Sequence, residues 1–151
     1  MQTASSEFAD RNLLVPVDFS DLSRAALLEA DALVRAGDGH MTVLHVLKLV
    51  RIGVVRIKTI DEPAQAVEEL REAREKLEAF TAALGTARPR VQLDVVLGEP
   101  VEEIVKRSGN HDLIVLGTHG KGGIRRLVLG TVAEKVARGA QCSVLLVRER
   151  R

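Results

Sequence analysis

Glycine and basic residues are concentrated between residues 117 and 131, in the stretch GTHGKGGIRRLVLGT. Glycine permits positive φ angles, and without a Cβ it lets successive backbone N–H groups approach an anion. Gly130-Thr131 is typical of a helix start, whose unpaired N–H groups and positive dipole end favour a phosphate. Lys121, Arg125 and Arg126 add mobile positive charge nearby. The stretch therefore predicts a phosphate site, and a flexible surface loop is the alternative interpretation.

A second candidate is Asp18, which follows a short apolar run in the sequence LLVPVDFS. In an open parallel α/β sheet, ligands bind beyond the carboxyl ends of the strands, where strand order reverses. A carboxylate at such a strand end can accept hydrogen bonds from ribose hydroxyls. The alternative is a helix-entry residue placed before Ser20. Asp18 indicates a nucleotide site only in combination with the glycine-rich stretch.

The glycine spacing does not fit two common phosphate-binding motifs. A P-loop requires Gly, four residues and then Gly-Lys-Ser/Thr, whereas Gly117 and Gly122 are followed by Gly123. A GxGxxG fingerprint is also missing, and the glycine-rich stretch follows the fourth predicted strand rather than the first. The sequence therefore favours neither a P-loop NTPase nor a nicotinamide-dependent enzyme.

Short apolar runs alternate with helical patterns and would position these candidates. Unbroken or alternating apolar runs predict five strands. They are placed at residues 13–17, 41–46, 91–97, 113–116 and 143–147. Apolar residues at spacings of three and four, with capping and stop signals, predict four helices. These helices are placed at about residues 20–36, 63–84, 100–108 and 131–138, and residues 48–62 are interpreted as a variable connection.

Five strands that alternate with four helices indicate an α/β fold of the Rossmann-like kind. Such alternation predicts an open parallel sheet with right-handed crossovers and helices on both faces. With 151 residues the chain has the length of one domain. We therefore expect a single domain over residues 1–151, with its core at about 12–148.

Composition restricts the classes of function. The formal net charge is +1 and aromatic residues make up 2%, which disfavours nucleic-acid binding and aromatic stacking platforms. The one cysteine, Cys142, allows neither an internal disulfide nor a cysteine zinc cluster. The first residues show no secretory signal, and no run approaches 18 apolar residues. We expect a cytoplasmic protein that does not enter a membrane.

Charge and histidine placement give weaker indications. Residues 1–87 carry 10 basic and 14 acidic side chains, whereas residues 88–151 carry 12 and 7, so the second part suits an anionic ligand. The four histidines are not in ligand spacing with other metal-binding groups, so we predict no protein metal site. His45 is interpreted as an ordinary strand residue, whereas contact of His119 with a phosphate stays open. No catalytic residue can be nominated from spacing.

The glycine spacing resembles a known family. Gly117-x-x-Gly120, nine residues and Gly130-Thr131 match the G-2x-G-9x-G-[S/T] motif of the ATP-binding branch of the universal stress protein family. Further similarity lies in VPVDFS at 15–20, LHV at 44–46, GEPVEEIV at 98–105, DLIVLGTHG at 112–120 and SVLLV at 143–147. The resemblance covers nearly the whole chain except residues 48–65.

The resemblance implies strand order 3-2-1-4-5 and a site for ATP, with Mg²⁺ held by its phosphates. Pro16, Val17 and Asp18 would lie at the adenosine, with Asp18 on the ribose, and Val46 would hold adenine through its backbone. The ribose-phosphate side and the phosphates would be lined by Leu116, Gly117, His119, Gly120, Gly130, Thr131 and Val132. The resemblance also implies a homodimer, often built through the last strand, here residues 143–147.

Three functional hypotheses and one variant follow from the sequence. The preferred one is a nucleotide-dependent stress-response module, in which ATP alters the binding of a regulatory protein partner. A slow ATPase or phosphotransferase is a second, although hydrolysis needs a base or a positioned water that the sequence does not identify. A nucleotide-independent dimeric scaffold is a third. Cyclic AMP as the ligand is a variant of the first, because the adenosine contacts would be shared.

Overall fold

The computed structural model describes residues 11–48, 62–119 and 129–148, and it confirms the predicted alternation of strands and helices within them. The strands are β1 (Asn12–Pro16), β2 (His40–Leu47), β3 (Val91–Leu97), β4 (Leu113–Gly117) and β5 (Ser143–Val147). The helices are α1 (Asp21–Arg35), α2 (Glu62–Phe80), α3 (Pro100–Ser108) and α4 (Thr131–Gly139), and a short 3₁₀ turn covers Arg88–Arg90. None of the described helices is long and apolar enough to cross a membrane.

All five strands are parallel, in the order β3-β2-β1-β4-β5, as the resemblance implied. The chain moves outward from β1 to β2 and β3, and then returns to place β4 on the other side of β1. Strand order therefore reverses between β1 and β4. This arrangement predicts a ligand crevice beyond the carboxyl ends of those two strands.

Each face of the sheet has its own hydrophobic core, because neighbouring residues of a strand point to opposite faces. Leu13 and Val15 of β1 pack with α1 and α2, whereas Leu14 packs with α3 and α4. All three side chains are fully buried. Each such burial stabilises the fold by roughly 1.5–3 kcal/mol, which explains the unbroken apolar run.

Two polar side chains, those of Arg90 and Asp31, connect the C-terminal part of α1 to the segments packed beside it. The guanidinium of Arg90 donates through Nη1 to three carbonyl groups at the end of α1 and in the turn after it, those of Val34, Gly37 and Gly39, at 3.0, 2.7 and 3.2 Å. The buried carboxylate of Asp31 accepts hydrogen bonds from the amides of Gly85 and Thr86 at 3.1 and 2.8 Å. These hydrogen bonds connect α1 to the segment between α2 and β3, at the amino edge of the sheet.

The second helix ends earlier than the sequence predicts. Its apolar spacing extends to Leu84, but α2 ends at Phe80 and tighter turns follow. The Asp31 carboxylate takes the amides of Gly85 and Thr86, which a continued helix would need for its own hydrogen bonds. A tertiary contact from α1 therefore overrides the local pattern. Leu84 still packs against the core, so its apolar character is used outside the helix.

Candidate functional site

The central crevice opens where β1 and β4 separate. These strands pair at Leu13–Leu113 and Leu14–Ile114. Pairing of β1 with β2 extends further, to Pro16, and pairing of β4 with β5 extends to Gly117. The space between the carboxyl ends of β1 and β4 is therefore bordered by backbone that has left the β1–β4 ladder. This is the edge at which the sequence placed its site residues.

Asp18 lies at this edge, in the turn between β1 and α1. Its Oδ1 accepts the amide of Ser20 at 3.0 Å, and Ser20 in turn caps α1 by accepting the amide of Ser23 at 3.2 Å. Asp18 is therefore a helix-entry residue, as the alternative interpretation predicted. Its position at the carboxyl end of β1 also agrees with the proposed site, so the two interpretations are compatible in one turn.

The same turn holds Phe19 in a left-handed conformation, with φ of 64°. Such a conformation costs an aromatic residue on the order of 1–2 kcal/mol. The Phe19 ring packs 4.4 Å from the ring of His45 and 5.3 Å from that of Phe80, and the ammonium of Lys76 lies 4.5 Å from its centre. These contacts hold the strained turn in place.

His45 is a feature of the site that the sequence interpretation missed. Its Nδ1 lies 2.8 Å from the carbonyl oxygen of Val17. A carbonyl only accepts hydrogen bonds, so Nδ1 carries the proton and donates. Neighbouring Val46 lies one position further along β2, partly buried on the opposite face. The family resemblance pointed to this part of β2 through the motif Leu44-His45-Val46. No local sequence pattern indicated the hydrogen bond between His45 and the carbonyl of Val17.

Gly117 brings the two sides of the crevice together. A Cβ at this position would lie 3.0 Å from the carbonyl carbon and oxygen of Leu22 in the first turn of α1. Any side chain would push α1 away from the end of β4. Here glycine is required for close packing of backbone against backbone, whereas the sequence interpretation expected it to allow approach to an anion.

Gly130 forms the other wall and precedes α4. Its amide donates to the carbonyl of Thr118 at 2.7 Å, and a Cβ on Gly130 would lie only 2.8 Å from that oxygen. The residue caps α4 without a side chain, and the first helical hydrogen bond runs from Glu134 to the Gly130 carbonyl. The amides of the first helical residues, including Thr131 and Val132, have no partner within the helix. They form a positive N-terminus at the crevice.

His119 lies directly against this wall. Its Cα is 3.3 Å from the position a Gly130 Cβ would take, and its Nδ1 is 3.0 Å from the hydroxyl of Thr118. Its Nε2 is buried and has no hydrogen-bond partner among the residues that the structure describes. An unpartnered buried nitrogen costs about 1–3 kcal/mol, which a ligand oxygen would recover.

The remaining predicted residues occupy the floor or lie elsewhere. Pro16, Val17 and Leu116 are buried at the strand ends, Val132 is half-buried on α4, and the Thr131 side chain is exposed. Gly120 and the basic residues Lys121, Arg125 and Arg126 lie outside the described residues. Within the described ranges, no three His, Cys, Asp or Glu side chains come together as a metal site.

Comparison with known proteins identifies the family of this chain. The model of the universal stress protein family matches residues 11–148. The chain belongs to the universal stress protein family. A member from Thermus aquaticus is 33% identical over 142 residues, which cover 91% of this chain and 98% of that protein.

Solved structures of the family share the fold. MJ0577 of Methanocaldococcus jannaschii is 28% identical and has a TM-score of 0.74, with 95% of this chain and 99% of that chain covered. A universal stress protein solved in complex with cyclic AMP is 26% identical and has a TM-score of 0.61, with coverage of 92% and 97%. The family assignment thus extends over nearly the whole chain.

Proposed function

We propose that this universal stress protein binds ATP at the carboxyl edge of its sheet and acts as a nucleotide-dependent regulatory module. The observation that carries the proposal is the buried Nε2 of His119, which has no partner in the described structure, on a residue whose Cα adjoins Gly130 at the start of α4. A phosphate bound at this helix N-terminus would be stabilised by the unpaired amides, and it would give the buried nitrogen a partner.

The residues present fit an adenine nucleotide. Gly117 and Gly130 allow backbone segments to approach closely at the crevice, and the N-terminus of the nine-residue helix α4 supplies amides for phosphates. If the Thr118 hydroxyl donates to Nδ1 of His119, Nε2 carries the proton and donates to a phosphate. At the other end of the crevice, Asp18 would accept from the ribose and the Val46 backbone would hold adenine.

Mg²⁺ would be bound through the phosphates of ATP, as the family resemblance implies. The ion would neutralise phosphate charge at the helix N-terminus. We propose that nucleotide binding serves regulation, with a slow ATPase or phosphotransferase as the alternative. Binding regulates a partner only if the partner distinguishes the nucleotide-bound from the free state.

Assembly and location complete the proposal. β5 is an edge strand, and its Leu145 side chain is 37% exposed. An unpaired apolar edge is stabilised when it is covered, which a second copy of the chain would do. We propose a cytoplasmic homodimer formed through residues 143–147, with an additional regulatory protein as its partner.

Cyclic AMP is a second candidate ligand, because a relative with a TM-score of 0.61 was solved with it. The nucleoside contacts would be the same for both ligands. The contacts of the two ligands would differ at His119 and α4, where ATP presents a longer chain of phosphate oxygens.

The proposal is tested by calorimetric titration of nucleotide-free protein with ATP, with and without Mg²⁺, and with AMP, cyclic AMP and adenosine. We expect ATP to bind at least tenfold more tightly than AMP. His119→Ala should reduce the affinity for ATP more than that for adenosine, whereas His40→Ala, on the amino edge, should change neither. Tighter binding of cyclic AMP than of ATP would identify cyclic AMP as the ligand of the same site. Absence of binding by every nucleotide would refute the proposal.

A further inference from the structure

The ladder between β1 and β2 is altered at its last position. Register pairs Pro16 with Leu44, and the amide of Val17 donates to the carbonyl of Leu44 at 2.8 Å. In a continued parallel ladder, the carbonyl of Val17 would accept the amide of Val46. In the described structure the ring N–H of His45 donates to that carbonyl instead, at 2.8 Å.

The substitution of one donor for another has a consequence for Val46. Its N–H and C=O point toward β1, because Leu44, two positions earlier, bonds to β1 through its carbonyl. Among the described residues the Val17 carbonyl accepts from the His45 ring and not from the Val46 amide, which is thereby left for another acceptor at the edge of the crevice. A released N–H beside a C=O on one strand is a donor and acceptor pair that matches the edge of an adenine ring.

We propose that His45 is a positioning residue for nucleoside binding, which keeps the backbone of Val46 available to the base by occupying the carbonyl of Val17. The inference rests on the proposed nucleotide function. Packing holds His45 in this role, since its ring lies 4.4 Å from that of Phe19, which is itself stacked edge-on against Phe80 at 5.3 Å. The left-handed Phe19 and the ring of His45 therefore support one another in the turn that presents Asp18.

Two substitutions test the packing of the His45 ring and its hydrogen bond separately. His45→Phe keeps a ring against Phe19 and removes the donor, so the Val17 carbonyl becomes free to accept the Val46 amide. His45→Asn keeps a side-chain N–H near the Nδ1 position and removes the ring. The matched control is His111→Phe, because Nδ1 of His111 is also 2.8 Å from a carbonyl, that of Arg107, at the amino edge of the sheet.

The test combines nucleotide titration with amide hydrogen exchange measured by NMR. We expect His45→Phe to weaken ATP, AMP and adenosine equally, by at least tenfold, and to slow the exchange of the Val46 amide. His45→Asn should retain affinity within about threefold, and His111→Phe should change neither readout. Equal affinity loss in both His45 variants, with Val46 exchange unchanged, would indicate a packing role and overturn the inference.

The exchange measurement also separates this inference from the proposed function. If the wild-type protein binds no nucleotide but His45→Phe protects the Val46 amide, the proposed function fails and the ladder substitution stands. If the wild-type protein binds ATP and His45→Phe binds it equally well, the proposed function stands and the positioning role is wrong.

Discussion

The replacement Gly130→Ala tests the geometry of the crevice most directly. The added Cβ would lie 2.8 Å from the carbonyl oxygen of Thr118 and 3.3 Å from the Cα of His119, and both are backbone atoms. Real Cβ atoms essentially never approach within 3.0 Å, so the two segments must separate by several tenths of an ångström. That carbonyl also accepts the Gly130 amide at 2.7 Å, so the movement strains a hydrogen bond as well.

The expected cost follows from these contacts. Overpacking of this kind costs roughly 1–3 kcal/mol, and alanine returns about 0.4–1 kcal/mol by restricting the unfolded chain. We expect a net loss of about 1–2 kcal/mol in the free energy of unfolding. For a chain of this length, that corresponds to a fall of about 2–8 °C in Tm. Displacement of the α4 N-terminus from His119 should weaken ATP binding at least tenfold.

The matched control is Gly109→Ala, a glycine at the end of α3 that also has an ordinary negative φ. Its new Cβ would meet Oε1 of Gln141 at 2.7 Å, the flexible end of a side chain that can rotate away. We expect a change in Tm below about 2 °C and unchanged affinity. Thermal unfolding and ATP titration of both variants provide the measurements. A folded Gly130→Ala variant with wild-type Tm and affinity would refute the proposed close contact.

Three further outcomes are expected. Hydrogen bonds from Thr86 and Gly85 and the charge of Arg35 outweigh burial and lower the pKa of Asp31. This stabilisation is complete above about pH 4 and is lost as pH falls through the lowered pKa. In urea unfolding, we therefore expect Asp31→Asn to be less stable than wild type by about 1–3 kcal/mol at pH 7. We expect this difference in the free energy of unfolding to be smaller at pH 3. Arg90→Met should lower Tm by at least about 4 °C in calorimetry, because three carbonyls lose their donor; an unchanged Tm contradicts this. Leu145→Asp should convert the proposed dimer to monomers in sedimentation without loss of ATP binding, and a persistent dimer places the interface elsewhere.

The fold requires Gly117 and Gly130 for a reason that differs from the one the sequence suggested. Conformational freedom was one reason for placing a ligand site at Gly117 and Gly130. Gly130 has φ of −60°, which any residue can adopt, and Gly117 lies in a strand. Both are needed for space between backbone segments. The left-handed residue at the crevice is instead Phe19, which side-chain packing holds there.

Local sequence patterns predicted most ends of the strands and helices to within one or two residues. The alternation of apolar runs with helical spacing is local, and local periodicity is enough to specify which residues must be buried on which element. The helix starts at Ser20, Pro100 and Gly130 were predictable for the same reason, because capping depends on a few neighbouring residues.

Tertiary structure alone decided the features that depend on distant pairs. The end of α2 is set by Asp31, which lies 55 residues from Thr86, and the release of the Val46 amide is set by His45, which lies 28 residues from Val17. No local pattern encodes such contacts, because they exist only after the helices dock and the strands register. The glycine spacing indicated where a nucleotide would bind, whereas the folded sheet determined which backbone groups meet at that edge.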